Sequence, residues 1–210
     1  IKNTVGFASK YMTLVRFKQI RGAFHPEKKA ASFGGDKCYQ LRHALKLLNA
    51  ASMATFVPSA ELVFDEGGIG CQSRLCPVRQ YNSSKPDPHR VDFLILADSN
   101  NYAIHHADVY QGKKKENVEI DPRVVELPTT QKAVMNAVYK RKLDNEYAPM
   151  DGHRHISMDN RYMCPEVCFL LRDRCGIYST GTIRKNRKGW NKELLNMEKR
   201  GPKWESKMRV

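Results

Sequence analysis

The stretch that decides the fold is Leu62-Val63-Phe64-Asp65-Glu66-Gly67-Gly68. It follows Pro58, and the residue pattern changes there. Upstream, Tyr39, Leu41, Leu45 and Leu48 recur at three- and four-residue intervals among polar side chains, which predicts a helix over Lys37–Asn49, with another around Lys10–Gln19. At Leu62 the apolar residues become consecutive and run into two acids and two glycines. That pattern reads as a short strand whose C-terminal end delivers a carboxylate before the chain turns.

Downstream the same alternation of short apolar runs and turns continues. Val91–Ala97 (VDFLILA) is apolar on both faces in its middle and should be central in a sheet. Tyr102–Tyr110 pairs with it as a hairpin across Asn100-Asn101. Cys71–Asn82 is a further candidate strand, leading into a proline-rich turn at Lys85–Pro88. Thr129–Leu143 reads as a helix with Thr129-Thr130 as caps and Val134 and Val138 on one face. His155–Met158 is a short strand closing on Asp159-Asn160. Pro165–Arg174 is a helix with proline in its first turn and Gly176 beyond its end, and Ile177–Ile183 is a last strand. Strands that alternate with helices in this order make an α/β fold.

In such a sheet, residues at strand ends meet in a common crevice. Asp65 and Asp159 each close an apolar strand, and two carboxylates brought together at neutral pH repel unless a cation lies between them. Magnesium favours carboxylate oxygens and keeps positions open for water and phosphate. Paired ions of this kind drive phosphodiester cleavage. A strand-end aspartate is also an ordinary turn residue, and Asp98 in Ala97-Asp98-Ser99 is a third of the same kind. Position alone does not separate them.

Charge narrows the class of partner. Residues 1–60 carry ten Lys/Arg and two acids, residues 184–210 carry ten and three, and residues 61–183 are close to neutral. Two basic arms around a neutral block suit double-stranded DNA, where neutralised phosphates release counterions. No apolar run reaches the roughly 20 residues of a membrane helix, and no signal peptide is visible. The six cysteines include no Cys-x-x-Cys pair, and Cys164, Cys168 and Cys175 fall at helical spacing as core positions would. They are read as reduced thiols.

The ordered motifs resemble the piggyBac transposase domain. Asp65-Glu66, Arg74, Tyr81, Lys85-Pro86, Asp98-Ser99 and Val109-Tyr110-Gln111-Gly112-Lys113 match its first block. Met158-Asp159-Asn160-Arg161-Tyr162 matches its Asp-Asn-x-aromatic block, and Thr180–Lys188 its Gly-Thr-x-Arg-x-Asn-Arg-Lys block. Acidic Asp92 departs from the pattern, standing where the family is basic. The resemblance implies an RNase H-like mixed sheet with flanking helices, divided as a helical segment 1–60, a partial catalytic core 61–184 and a basic tail 185–210. It implies that Asp65 and Asp159 are catalytic Mg²⁺ (or Mn²⁺) ligands, that Asp98 is not catalytic, and that the third aspartate of the family lies outside this chain. DNA contacts are expected from Arg74, Lys85, Arg184, Lys185, Arg187 and Lys188. The implied protein is a nuclear, homodimeric DNA transposase acting on transposon ends and target DNA. The alternative is a domesticated or decayed relative that binds DNA without cutting it.

Overall fold

The computed structural model describes residues 12–23, 36–112, 124, 126–143, 153–184, 186–187 and 189. Among them the chain forms α1 (Leu14–Ala23), α2 (Tyr39–Thr55), β1 (Glu61–Gly70), β2 (Gln80–Tyr81), β3 (His89–Asp98), β4 (Ile104–Val109), α3 (Thr129–Leu143), β5 (Arg154–Met158), α4 (Pro165–Cys175) and β6 (Ile177–Gly181). The strands make one mixed sheet in the order β2-β3-β1-β5-β6, with β4 also paired to β3. β1, β3 and β4 are antiparallel neighbours, whereas β5 and β6 run parallel to β1. This is the RNase H-like arrangement that the motifs imply.

Alternation along the strands divides the buried residues into two sets. Leu62, Phe64, Leu96, Ile156, Met158 and Ile177 face α3 and α4, and pack with Val134, Met135, Val138, Val167 and Leu171 into the main core. Val134 and Val138 are fully buried, as their spacing predicts. Cys164 and Cys175 lie in the same core, the role their helical spacing suggested. In α4, proline occupies the first turn, and Gly176 adopts the left-handed conformation (φ 64°) that lets its amide close onto the Arg172 carbonyl. A smaller cluster on the other side of the sheet joins Cys38 and Leu45 of the α2 region to Val78, Val109 and Phe93.

Four expectations need correction. The strand beginning at Leu62 does not end at Asp65; β1 continues through Gly67-Gly68 and pairs with β3 as far as Gly70. Those glycines make room rather than a turn. A Cβ on Gly68 would lie 2.0 Å from the Arg90 guanidinium carbon, and one on Gly67 would lie 2.7 Å from Ile95 Cδ1. Of Cys71–Asn82 only Gln80–Tyr81 pairs, because the intervening backbone closes on itself in turns (Cys76 to Ser73, Arg79 to Cys76). Thr129 and Thr130 begin α3 without capping it, since the carbonyl of Pro128 takes the amides of Gln131 and Lys132. In α2 only Leu45 is buried, and Leu48 is 65% exposed. This helix is held largely by polar groups at the sheet's edge. Asn49 donates to the Ala107 carbonyl and accepts from the Ala107 amide, and Arg42 bridges Asp36 and Asp108.

Gly181 sits beside Met158 in the β5–β6 ladder, where an added Cβ would come 2.0 Å from the Met158 carbonyl oxygen. Gly181→Ala is expected to cost about 1–3 kcal/mol, because backbone must move. Gly70→Ala, which meets only the flexible end of Asp87, should be nearly neutral. Urea midpoints of the two variants check this; equal midpoints would refute it.

Candidate active site

The β1–β5 ladder runs from Glu61↔His155 to Phe64↔Met158 and stops there. The next residue on each strand is an aspartate. Asp65 and Asp159 therefore sit side by side, at the point where the parallel pairing gives out. Alternation turns both away from the main core, and both line one open recess with Val63, Ser157, Thr180 and Gly181. The two acids singled out in the sequence are thus brought together, although Asp65 is inside a strand and not at its end.

Each carboxylate is oriented by its own backbone. Asp65 Oδ1 accepts from the Glu66 amide (2.8 Å), and Asp159 Oδ1 accepts from the Asn160 amide (2.6 Å) and more weakly from the Thr182 hydroxyl (3.4 Å). Burial pushes the Asp65 carboxyl above the usual carboxylate range, and the negative charges of Glu66 and Asp159 add to the shift. Two oxygen-donor carboxylates that repel one another across an open recess fit a hard divalent cation in their donor set, and supply two of the ligands it needs. Among the described residues, no group of three or more His, Cys, Asp and Glu side chains is arranged to hold an ion.

Asp98 is separated from this pair by geometry. It lies at the far end of β3 opposite Leu62, and its side chain is fully buried. Its oxygens accept from the amides of Ser59 (2.7 Å), Asn100 (2.8 Å) and Asn101 (3.3 Å) and from the Ser59 hydroxyl (2.9 Å). His105 is 3.5 Å away. Although burial opposes ionisation, these donors hold the Asp98 carboxyl far below the usual range. It is a structural anion. Asp92, the acid where the family is basic, pairs with Arg90 over Gly68, so its charge is answered within the fold.

The basic residues divide. Lys85 is half-buried and close enough to Glu66 for its charge to act there. Arg74 is exposed on the turn after β1. Arg184 is exposed and donates from Nε to Asn160 Oδ1 (3.1 Å), whereas Arg187 donates from Nη2 to the carbonyls of Asn160 (2.5 Å) and Arg161 (3.4 Å). These two therefore hold the turn that follows Asp159. Lys185 and Lys188 lie outside the described residues.

Three residues of the site were quoted only as motif letters. Glu66 accepts from the Tyr162 hydroxyl (2.6 Å) and from Arg161 (3.2 Å). The Arg161 guanidinium lies over the rings of Tyr110 (5.2 Å) and Tyr162 (5.7 Å). A signal was present. Alternation places Glu66 on the side of Phe64, and a charge at a core-facing position requires a partner.

Residues 3–208 match the family described as Transposase IS4. No curated protein sequence matches. Among solved structures, a piggyBac transposase synaptic complex with hairpin DNA superposes with a TM-score of 0.69 at 20% identity, covering 92% of this chain and 39% of that one. A simian T-cell lymphotropic virus intasome in complex with a PP2A regulatory subunit (TM-score 0.33, 10% identity, 78% and 48% covered) and a Mos1 transposase paired-end complex (0.34, 8%, 89% and 61%) score too low to carry weight. The chain spans well under half the length of the piggyBac chain it resembles. The fold is that of the piggyBac transposase core, and the chain belongs to the Transposase IS4 family.

Proposed function

We propose that this chain is part of the catalytic core of a piggyBac-type DNA transposase, which cuts and joins DNA with Mg²⁺ or Mn²⁺ at Asp65 and Asp159. The observation that carries the reading is the placement of these two aspartates side by side where the β1–β5 ladder ends, open to one recess. Bound divalent ions would supply activation of the attacking hydroxyl and stabilisation of the leaving oxygen. The chain's own residues orient what binds there. Asp65 and Asp159 offer oxygens fixed by the Glu66 and Asn160 amides, and Thr182 supports Asp159. Arg184 and Arg187 fix the Asn160 turn, and the exposed Arg74 and Arg184 and half-buried Lys85 provide positive charge for phosphates. A third carboxylate from another part of the protein completes the ligand set. The partner is double-stranded DNA (transposon ends and target), the working form is a homodimer, and the site of action is the nucleus.

The full-length protein incubated with end-bearing duplex DNA should nick it in Mg²⁺ or Mn²⁺ and not in chelator, with binding that weakens steeply as salt rises. Equal cleavage in chelator would sink the reading. Salt-sensitive binding with no cleavage under any divalent ion would replace it with a DNA-binding protein that does not cut.

A further inference from the structure

The β1–β5 ladder holds Phe64 against Met158 and ends there, one residue short of both aspartates. A two-carboxylate cation site nevertheless needs its ligands held to within a few tenths of an ångström. Beyond the ladder, the described tie from β1 to the Asp159 turn is made by side chains. Glu66, next to Asp65, accepts from the Tyr162 hydroxyl on Oε2 and from Arg161 on Oε1. Tyr162 and Arg161 stand in the same tight turn as Asp159, whose carbonyl accepts the amides of Tyr162 and Met163 (both 3.0 Å).

We propose that Glu66 is a positioning residue which, through Tyr162 and Arg161, clamps the Asp159 turn to β1 and sets the separation of the two cation-facing aspartates. The inference rests on the reading of Asp65 and Asp159 given above.

Glu66 is placed as a clamp and not as a third ligand. Its side chain is only 14% exposed, and each of its oxygens is already engaged. The far end of the clamp is rigid. Tyr162 is fully buried, its ring meets Phe64 edge-to-face at 4.9 Å, and burial and Glu66 together push its hydroxyl up, so that it stays a donor. Arg161 is steadied by the Tyr110 ring. Substitutions that perturb how a ligand is oriented cost about 10–100-fold in metal affinity or activity.

The test is Mn²⁺ binding to the purified full-length protein, followed by electron paramagnetic resonance of free Mn²⁺, with Asp65→Asn as the reference for loss of the site. Tyr162→Phe keeps the ring and removes the donor. It is expected to weaken Mn²⁺ binding about tenfold or more, to leave DNA binding unchanged, and to recover cleavage when Mn²⁺ is raised. A merely structural loss would lower both binding activities together. Glu66→Ala, which removes both acceptor oxygens, should weaken Mn²⁺ binding at least as much, and adding Tyr162→Phe to it should cost nothing further, since that link is already cut. Should Tyr162→Phe fail to fold, Glu66→Ala decides by the same readout. Wild-type Mn²⁺ affinity in these variants overturns the clamp while leaving the site reading intact. Wild-type protein whose Mn²⁺ binding is indifferent to Asp65→Asn overturns both.

Discussion

Replacing Asp65 or Asp159 by asparagine should abolish divalent-ion-dependent DNA cleavage, by about a thousandfold or more, without loosening the fold. Asparagine keeps the shape and the oxygen that accepts the next backbone amide, so the bonds from Glu66 and Asn160 survive. What disappears is the negative charge a cation needs, a larger loss than the 10–100-fold seen when only the surroundings of a ligand change. Stability should move the other way. Burial and the charges of Glu66 and Asp159 disfavour ionised Asp65, so its charge opposes folding when no cation is bound. Asp65→Asn without metal should therefore melt at the wild-type temperature or slightly above it. Nicking assays beside thermal melts check the pair. An Asp65→Asn protein that still cuts, or one that loses cutting only because it unfolds, would contradict the account.

Asp98→Ala is expected to have the opposite profile, with a stability loss of about 3 kcal/mol and no direct effect on the chemistry. Four donors converge on a carboxylate with no exposure, and deleting it strands several of them in the interior. These bonds tie the β3–β4 hairpin to Ser59 at the start of β1. The pH dependence has a definite sign. The folded-state pKa is depressed, so the contribution is fully present above the unfolded value of about 3.9 and fades as pH falls below it toward the folded value. Urea denaturation of wild type and Asp98→Ala should differ most near neutrality and converge at strongly acid pH. A difference unchanged at pH 3 relative to pH 7 would assign the stability to something other than the charge.

Much of this was legible where local rules and tertiary structure agree. Val134 and Val138 announced the buried face of α3, Pro165 and Gly176 bracketed α4, and the apolar centre of β3 matched its position between β1 and β4. The readings that failed did so for a shared reason: a residue's meaning depended on a distant side chain. Gly67-Gly68 looks like a terminator until Arg90 and Ile95 are seen filling the space above them. Leu41 and Leu48 look like a helix seam until Asn49 and Arg42 are seen to do the docking. At the site, the three strand-end acids were indistinguishable by position, and only the ordered motifs separated Asp98 from the other two. Its four donors, two of them on Ser59, supply the physical reason. Arg184 and Arg187 also hold the Asn160 turn, Arg184 through the Asn160 side-chain oxygen and Arg187 through backbone carbonyls that a sequence does not display.

The Asn49 contact carries one more implication. β4 borders the sheet, and a bordering strand offers its bare amides and carbonyls to any extended chain that passes, including another copy of itself. At Ala107 both of those groups are already taken by one side-chain amide. The helix before the sheet thus acts as a stopper against fibrous stacking along that margin. Mutational change at Asn49 is for that reason a question of solubility before it is one of cutting DNA.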